Sequence, residues 1–161
     1  ERERILQIMA DSCLGSYGTI GLILLLGFKF SLMTTIADQG PALLAGSIFV
    51  AHTLSRFFAF GQMQRQRYAR RAGQGKSTSA VAGSFSRADW LLVVLFPAAS
   101  LWLLPPGTIP LLLLCAGLIA LLWARYCHAR IGGYTGDCLG ATQQLVELGV
   151  YLGVAVTCNF I

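Results

Sequence analysis

The chain has 161 residues, of which 55% are hydrophobic and only 12% charged, with a formal net charge of +5. Soluble domains carry roughly 25% charged residues, so this composition, with a mean hydropathy of +0.65, excludes an ordinary soluble fold and points to the membrane class. The positive charge does not make a nucleic-acid binder, because Lys and Arg sit between apolar segments and not on an aromatic-interleaved face.

The predicted fold class is all-α: a polytopic integral membrane helical bundle occupying residues 1–161 as one transmembrane domain. Residues 1–18 read as a short amphipathic helix followed by the loop Asp11–Gly18. Because Glu1-Arg2-Glu3-Arg4 already has helical character and no signal peptide is visible, the chain reads as part of a longer one. Five membrane-length segments follow, near 19–36, 42–63, 89–104, 108–125 and 139–161. The third is short and holds Pro97; Pro105-Pro106-Gly107 forces a tight hairpin between the third and fourth.

Charge predicts orientation. The turns Ala37–Pro41 and Pro105–Gly107 contain no Lys or Arg. The other side holds Arg2, Arg4, Arg65, Arg67, Arg70, Arg71, Lys76, Arg87, Arg125 and Arg130. The basic loop 64–88, the loop 126–138 and the N-terminus are therefore expected in the cytoplasm. Trp90, Trp123 and Tyr126 fall at that interface and Trp102 near the opposite one, as an aromatic belt requires.

Cys13, Cys115, Cys127, Cys138 and Cys158 form no CxxC, so neither a disulfide framework nor a zinc site is expected. Gly73–Ser79 resembles part of a phosphate-binding loop but lacks the first glycine at its spacing and a preceding strand.

The densest signal lies at Arg130-Ile131-Gly132-Gly133-Tyr134-Thr135-Gly136-Asp137-Cys138-Leu139-Gly140, which runs into the fifth segment. Glycines let backbone approach a bulky ligand closely, and an intramembrane carboxylate such as Glu147 marks a functional site by default. Gly136, Gly140, Gln144, Glu147 and Tyr151 share one helix face, readable as a packing stripe, with Gly149 and Gly153 as a further packing pair. Matching depths suggest that Arg56 pairs with Glu147, either as a purely structural pair or with Arg56 facing a phosphate-holding cavity. Lys29 is expected to snorkel and His52 to be a hydrogen-bonded core residue.

These residues resemble the cobalamin synthase family, the adenosylcobinamide-GDP ribazoletransferases. The resemblance is carried by Gly132–Ala141 followed by Glu147, by Arg2–Ser12 with Leu14, Gly15 and Gly18, and by Ser55-Arg56 with Arg67-Tyr68-Ala69-Arg70, Gly73 and Gly75. It spans essentially the whole chain in order. Three departures stand out. The family's acidic segment, which would precede Glu1, is absent; Cys13 stands where members carry Arg; and Gln144 stands where some have Glu.

The resemblance implies a bacterial inner-membrane, multi-pass transferase that joins GDP-cobinamide to α-ribazole or its 5′-phosphate and releases GMP. It implies Mg²⁺ as cofactor. Asp137 is then the expected metal or hydroxyl-orienting ligand, and Glu147 a base or the partner of Arg56. Asp11, Ser12, Arg56, Arg70, Lys76, Gly133, Thr135 and Gly136 are the expected substrate contacts. Membrane lipid is the expected surrounding, nucleic acid is not a partner, and a homo-oligomer stays open. A transporter or a purely structural membrane subunit is the competing reading, although no internal repeat is found.

Overall fold

The computed structural model describes residues 2–11, 13, 15–69 and 86–160. It is a bundle of helices: α1 (Arg2–Ile8), α2 (Ser16–Ala37), α3 (Pro41–Arg65), α4 (Arg87–Ser100), α5 (Ile109–Ile131) and α6 (Gly136–Phe160). Short 3₁₀ turns at Leu101–Leu103 and Pro106–Thr108 link α4 to α5. The protein is a polytopic helical bundle, as its composition demands. Among the described residues four helices, α2, α3, α5 with its preceding turn, and α6, are long and apolar enough to cross a membrane, whereas Asp89–Leu103 is shorter. Of the five expected spans, the third is thus the one that falls below full length.

Local chemistry sets the helix ends. Ser86 caps α4 through a reciprocal box: its hydroxyl accepts from the Asp89 amide at 3.2 Å while the Asp89 carboxylate accepts from the Ser86 amide at 2.8 Å. Gly132 ends α5 in the left-handed region, at φ 71°. Helix α5 therefore runs to Ile131 and not to 125, and the expected loop 126–138 shrinks to Gly132–Thr135. The apolar run stops at Arg125, but helical hydrogen bonding does not depend on apolarity, so the last turn and a half continues past it.

Helices α5 and α6 approach closely through the two glycines. A Cβ on Gly153 would lie 2.4 Å from Leu112 Cα, and one on Gly149 3.2 Å from Ala116 Cα. This is the small-residue packing expected of that pair. The main core gathers Ile36, Val50, Leu54, Leu112, Ala116 and Val150 between α2, α3, α5 and α6. The outer face of α2 leaves Ile20, Ile23, Leu24 and Phe30 exposed, as a lipid-facing helix does.

A second cluster lies at the end of the bundle where the arginines collect, hereafter the basic end. There Ala69, Cys127, Ile131, Tyr134 and Cys138 pack together beneath α1. The chain leaving α3 meets the α5–α6 hairpin in one parallel bridge, Tyr68 with Tyr134. The Ala69 amide donates to the Tyr134 carbonyl at 2.8 Å, and the Tyr134 amide to the Arg67 carbonyl at 3.0 Å. Arg2 ties α1 to the same point by donating to the Ala69 carbonyl at 3.3 Å.

Candidate functional site

Two polar constellations lie on α6, about 15 Å apart along its axis. The inner one centres on Glu147, which is buried although charged. Lys29 of α2 forms an ion pair and hydrogen bond with Glu147 Oε2. His52 of α3 presents Nδ1 to Glu147 Oε1 at 2.8 Å. An ionised carboxylate only accepts, so Nδ1 carries the proton. Ser55 Oγ donates to the same oxygen at 3.4 Å. Lys29 Nζ also donates to Gln144 Oε1 at 3.2 Å and sits 5.8 Å from the Tyr151 ring centroid. The stripe Gln144, Glu147, Tyr151 is therefore a receptor for one ammonium, each member touching it. An intramembrane charge satisfied in this way costs far less than an isolated one.

This corrects the expected Arg56–Glu147 pair. Arg56 is exposed, and its Nη1 donates to the His52 carbonyl of its own helix at 3.0 Å. With the observed helix ends, Glu147 lies about 16 Å from the start of α6, between Arg56 at about 14 Å and His52 at about 20 Å from the end of α3. Depth does not separate the two. What decides is that Lys29 already supplies the neutralising cation from α2, while the longer guanidinium reaches outward along its own helix. Lys29 itself does not snorkel to an interface but turns inward. His52 keeps about half its side chain exposed, so it is hydrogen-bonded as expected but not enclosed.

The outer constellation opens at the basic end. Thr135, fully buried, is the N-cap of α6: its Oγ1 accepts from the Cys138 amide at 3.3 Å and donates to Cys138 Sγ at 3.3 Å. Gly133 lies so close to the preceding segment that a Cβ would come within 2.0 Å of the Arg67 carbonyl. The close approach that its glycine permits is to the chain itself. Gly136 and Asp137 follow, both exposed. Asp11 also is exposed, and its Oδ1 accepts from the Cys13 amide at 3.1 Å. Ser12, Arg70, Lys76 and the Gly73–Ser79 segment lie outside the described residues.

Beside Asp137 is a cavity of about 560 Å³ between α1, α5 and the start of α6. Ile5 of α1 and Met9 just after it, Ile131 of α5 and Ala141 of α6 give it an apolar floor. Trp123 and Tyr126 form one wall, stacked at 5.5 Å with 26° between their planes. Trp123 is held in place by donating its Nε1–H to the Cys138 carbonyl at 3.1 Å. Arg130 and Asp137, opposite in charge and both exposed, stand at the rim. Next to it, burial pushes the Tyr134 phenol upward from its ordinary pKa, with Tyr68 adding to the shift. The Tyr134 hydroxyl is buried and has no hydrogen-bond partner among the described residues.

Among the described residues no group of three His, Cys, Asp or Glu side chains is placed to hold a metal. Asp137 offers a single carboxylate, and Glu147 is committed to Lys29 and His52. These residues do not by themselves fit a resident Mg²⁺, which prefers six oxygens in octahedral array.

The cobalamin-5-phosphate synthase family matches residues 1–155. The chain belongs to that family. It is 40% identical over 153 residues to a protein of Shewanella amazonensis named adenosylcobinamide-GDP ribazoletransferase, covering 94% of this chain and 58% of that one. Proteins of the same name from Leptospira interrogans and Pseudoalteromonas atlantica are 35% and 36% identical, over 99% and 96% of this chain and 62% and 56% of theirs. The chain thus spans somewhat under two thirds of the length of these curated relatives. No solved structure matches.

Sequence reasoning missed Lys29, His52, Trp123, Tyr126 and Arg130 as site residues. The first two were visible as polar residues about 20 Å inside their helices. Tyr126 and Arg130 were hidden by assigning 126–138 to a loop, which removed the part of α5 that carries them, and Trp123 was read only as part of an aromatic belt.

Proposed function

We propose that the chain takes part in the reaction its relatives are named for, the joining of adenosylcobinamide-GDP to α-ribazole or its 5′-phosphate. In that reaction a ribose hydroxyl oxygen bonds to the cobinamide-side phosphorus, the bond from that phosphorus to the bridging oxygen breaks, and GMP leaves with that oxygen. The hydroxyl proton passes to a base. Asp137 is the residue we assign to orient this hydroxyl and accept its proton. The observation that supports it is position: an exposed carboxylate at the rim of a cavity at the basic end, with Arg130, over the Tyr126 ring, lining the same cavity and able to meet a phosphate. Glu147, held by Lys29 and His52 on another part of α6, suits a scaffold role better than that of a base. Mg²⁺ is proposed only as a counter-ion arriving on the substrate's phosphates.

Membranes from cells expressing the full open reading frame should convert adenosylcobinamide-GDP and α-ribazole into adenosylcobalamin and GMP in equal amounts. Substrate loss without matching GMP, or no product above vector-only membranes, refutes the assignment. The basic end is proposed to face the cytoplasm of a bacterial inner membrane, on the Lys/Arg asymmetry. In a background lacking native cysteines, Asp38→Cys should react with an impermeant thiol reagent added outside and Gln74→Cys should not. The reverse pattern inverts the topology.

A further inference from the structure

We infer that the cavity between α1, α5 and α6 is the seat of the aromatic base of α-ribazole, with its ribose at Asp137. The identity of the ligand rests on the transferase reading; the shape of the site does not. A volume of about 560 Å³ lies inside the range of roughly 300–1,000 Å³ usual for small-molecule sites. The interior is apolar and one wall is a pair of stacked rings, Trp123 and Tyr126. A flat bicyclic base buries itself well against such a wall. The polar groups are confined to the rim, where a ribose hydroxyl meets the Asp137 carboxylate and a 5′-phosphate meets Arg130.

The same wall disfavours guanine, the other base present in the reaction. Guanine carries a polar edge that needs partners when buried. The indole N–H of Trp123, the obvious donor, is already given to the Cys138 carbonyl. The benzimidazole of α-ribazole has no such edge. A lipid acyl chain would use the apolar floor but has nothing to offer the two charges of the rim.

The test uses the full-length protein in detergent with Trp90→Phe and Trp102→Phe, which leaves Trp123 as the only tryptophan of this chain. Titrated α-ribazole should change the Trp123 emission saturably, and guanosine should not compete. Ala141→Phe, which fills the floor, should abolish this change. In turnover it should raise KM for α-ribazole ~10-fold or more, with KM for adenosylcobinamide-GDP within ~2-fold. Ile5→Trp narrows the cavity from α1 and serves as the second variant if Ala141→Phe does not fold. Saturable binding without any turnover would keep the site and remove the transferase reading. Turnover without saturable binding, or with both KM values unmoved in the filled variants, overturns the site; an acyl-chain cavity would give that second pattern.

Discussion

The two polar constellations of α6 use the same kinds of side chain to opposite ends. At the inner node, Lys29, Glu147 and His52 satisfy one another, with Gln144, Ser55 and Tyr151 completing the shell. At the basic end, Arg130 and Asp137 stand exposed on the rim of a cavity with an aromatic wall. Burial is the difference. A charge inside a bilayer must find its partner within the protein, and once it has, little is left for a ligand. A charge at the water boundary is solvated cheaply and keeps its capacity to bind. The inner node thus reads as architecture and the outer one as the proposed place of the chemistry.

The largest expected effect comes from breaking the inner node. Glu147→Ala leaves Lys29 without its counter-charge and should cost about 3–5 kcal/mol in unfolding free energy. The double change Lys29→Met with Glu147→Leu should recover most of that loss, measured by unfolding in mixed micelles. If the double variant is as damaged as the sum of the singles, the node is not a pair.

Next is Asp137→Asn, which should leave unfolding unchanged while turnover falls ~10²-fold, about 2.7 kcal/mol in transition-state stabilisation. Equal losses in turnover and stability would place Asp137 with the architectural group.

The helix contact gives a smaller and purely structural contrast. Gly153→Ala drives a methyl toward Leu112 Cα and should cost about 1–3 kcal/mol. Gly140→Ala, with no atom within 4 Å of its added Cβ, should be neutral or gain a few tenths to about 1 kcal/mol of helix stability.

Smallest is Arg56→Ala. Arg56 is exposed and bonds only within its own helix, so stability should change by less than about 1 kcal/mol. A loss as large as that of Glu147→Ala would restore the pairing that the structure replaces.

The helical class, the span positions and the Gly149/Gly153 contact were legible because lipid imposes a long apolar run and small residues where helices touch. The short α4 was legible for the same reason, from its length and Pro97. The Glu147 partner was not. Periodicity gives the face a residue occupies on its own helix, but not which neighbouring helix that face meets. Arg56 and His52 share a face on α3, and only the placement of α2 shows that Lys29 takes the carboxylate. The cavity was hidden for another reason. Hydropathy falls at Arg125 while the helix continues to Ile131, so Tyr126 and Arg130 looked like loop residues. In the glycine cluster, part of the use is internal: Gly132 ends a helix and Gly133 admits the Arg67 carbonyl.

The Lys29–Glu147 contact joins residues 118 positions apart. During biosynthesis α2 enters the membrane long before α6 has been made, and its ammonium must wait there without the Glu147 carboxylate. The early hairpin of α2 and α3 is then a provisional arrangement that becomes permanent only when α6 arrives. A ribosome stalled before Glu147 emerges should hold a chain whose α2 is open to extraction or degradation. Emergence of α6 should close that interval, which makes α6 the element that commits α2 and α3 to their place in the membrane.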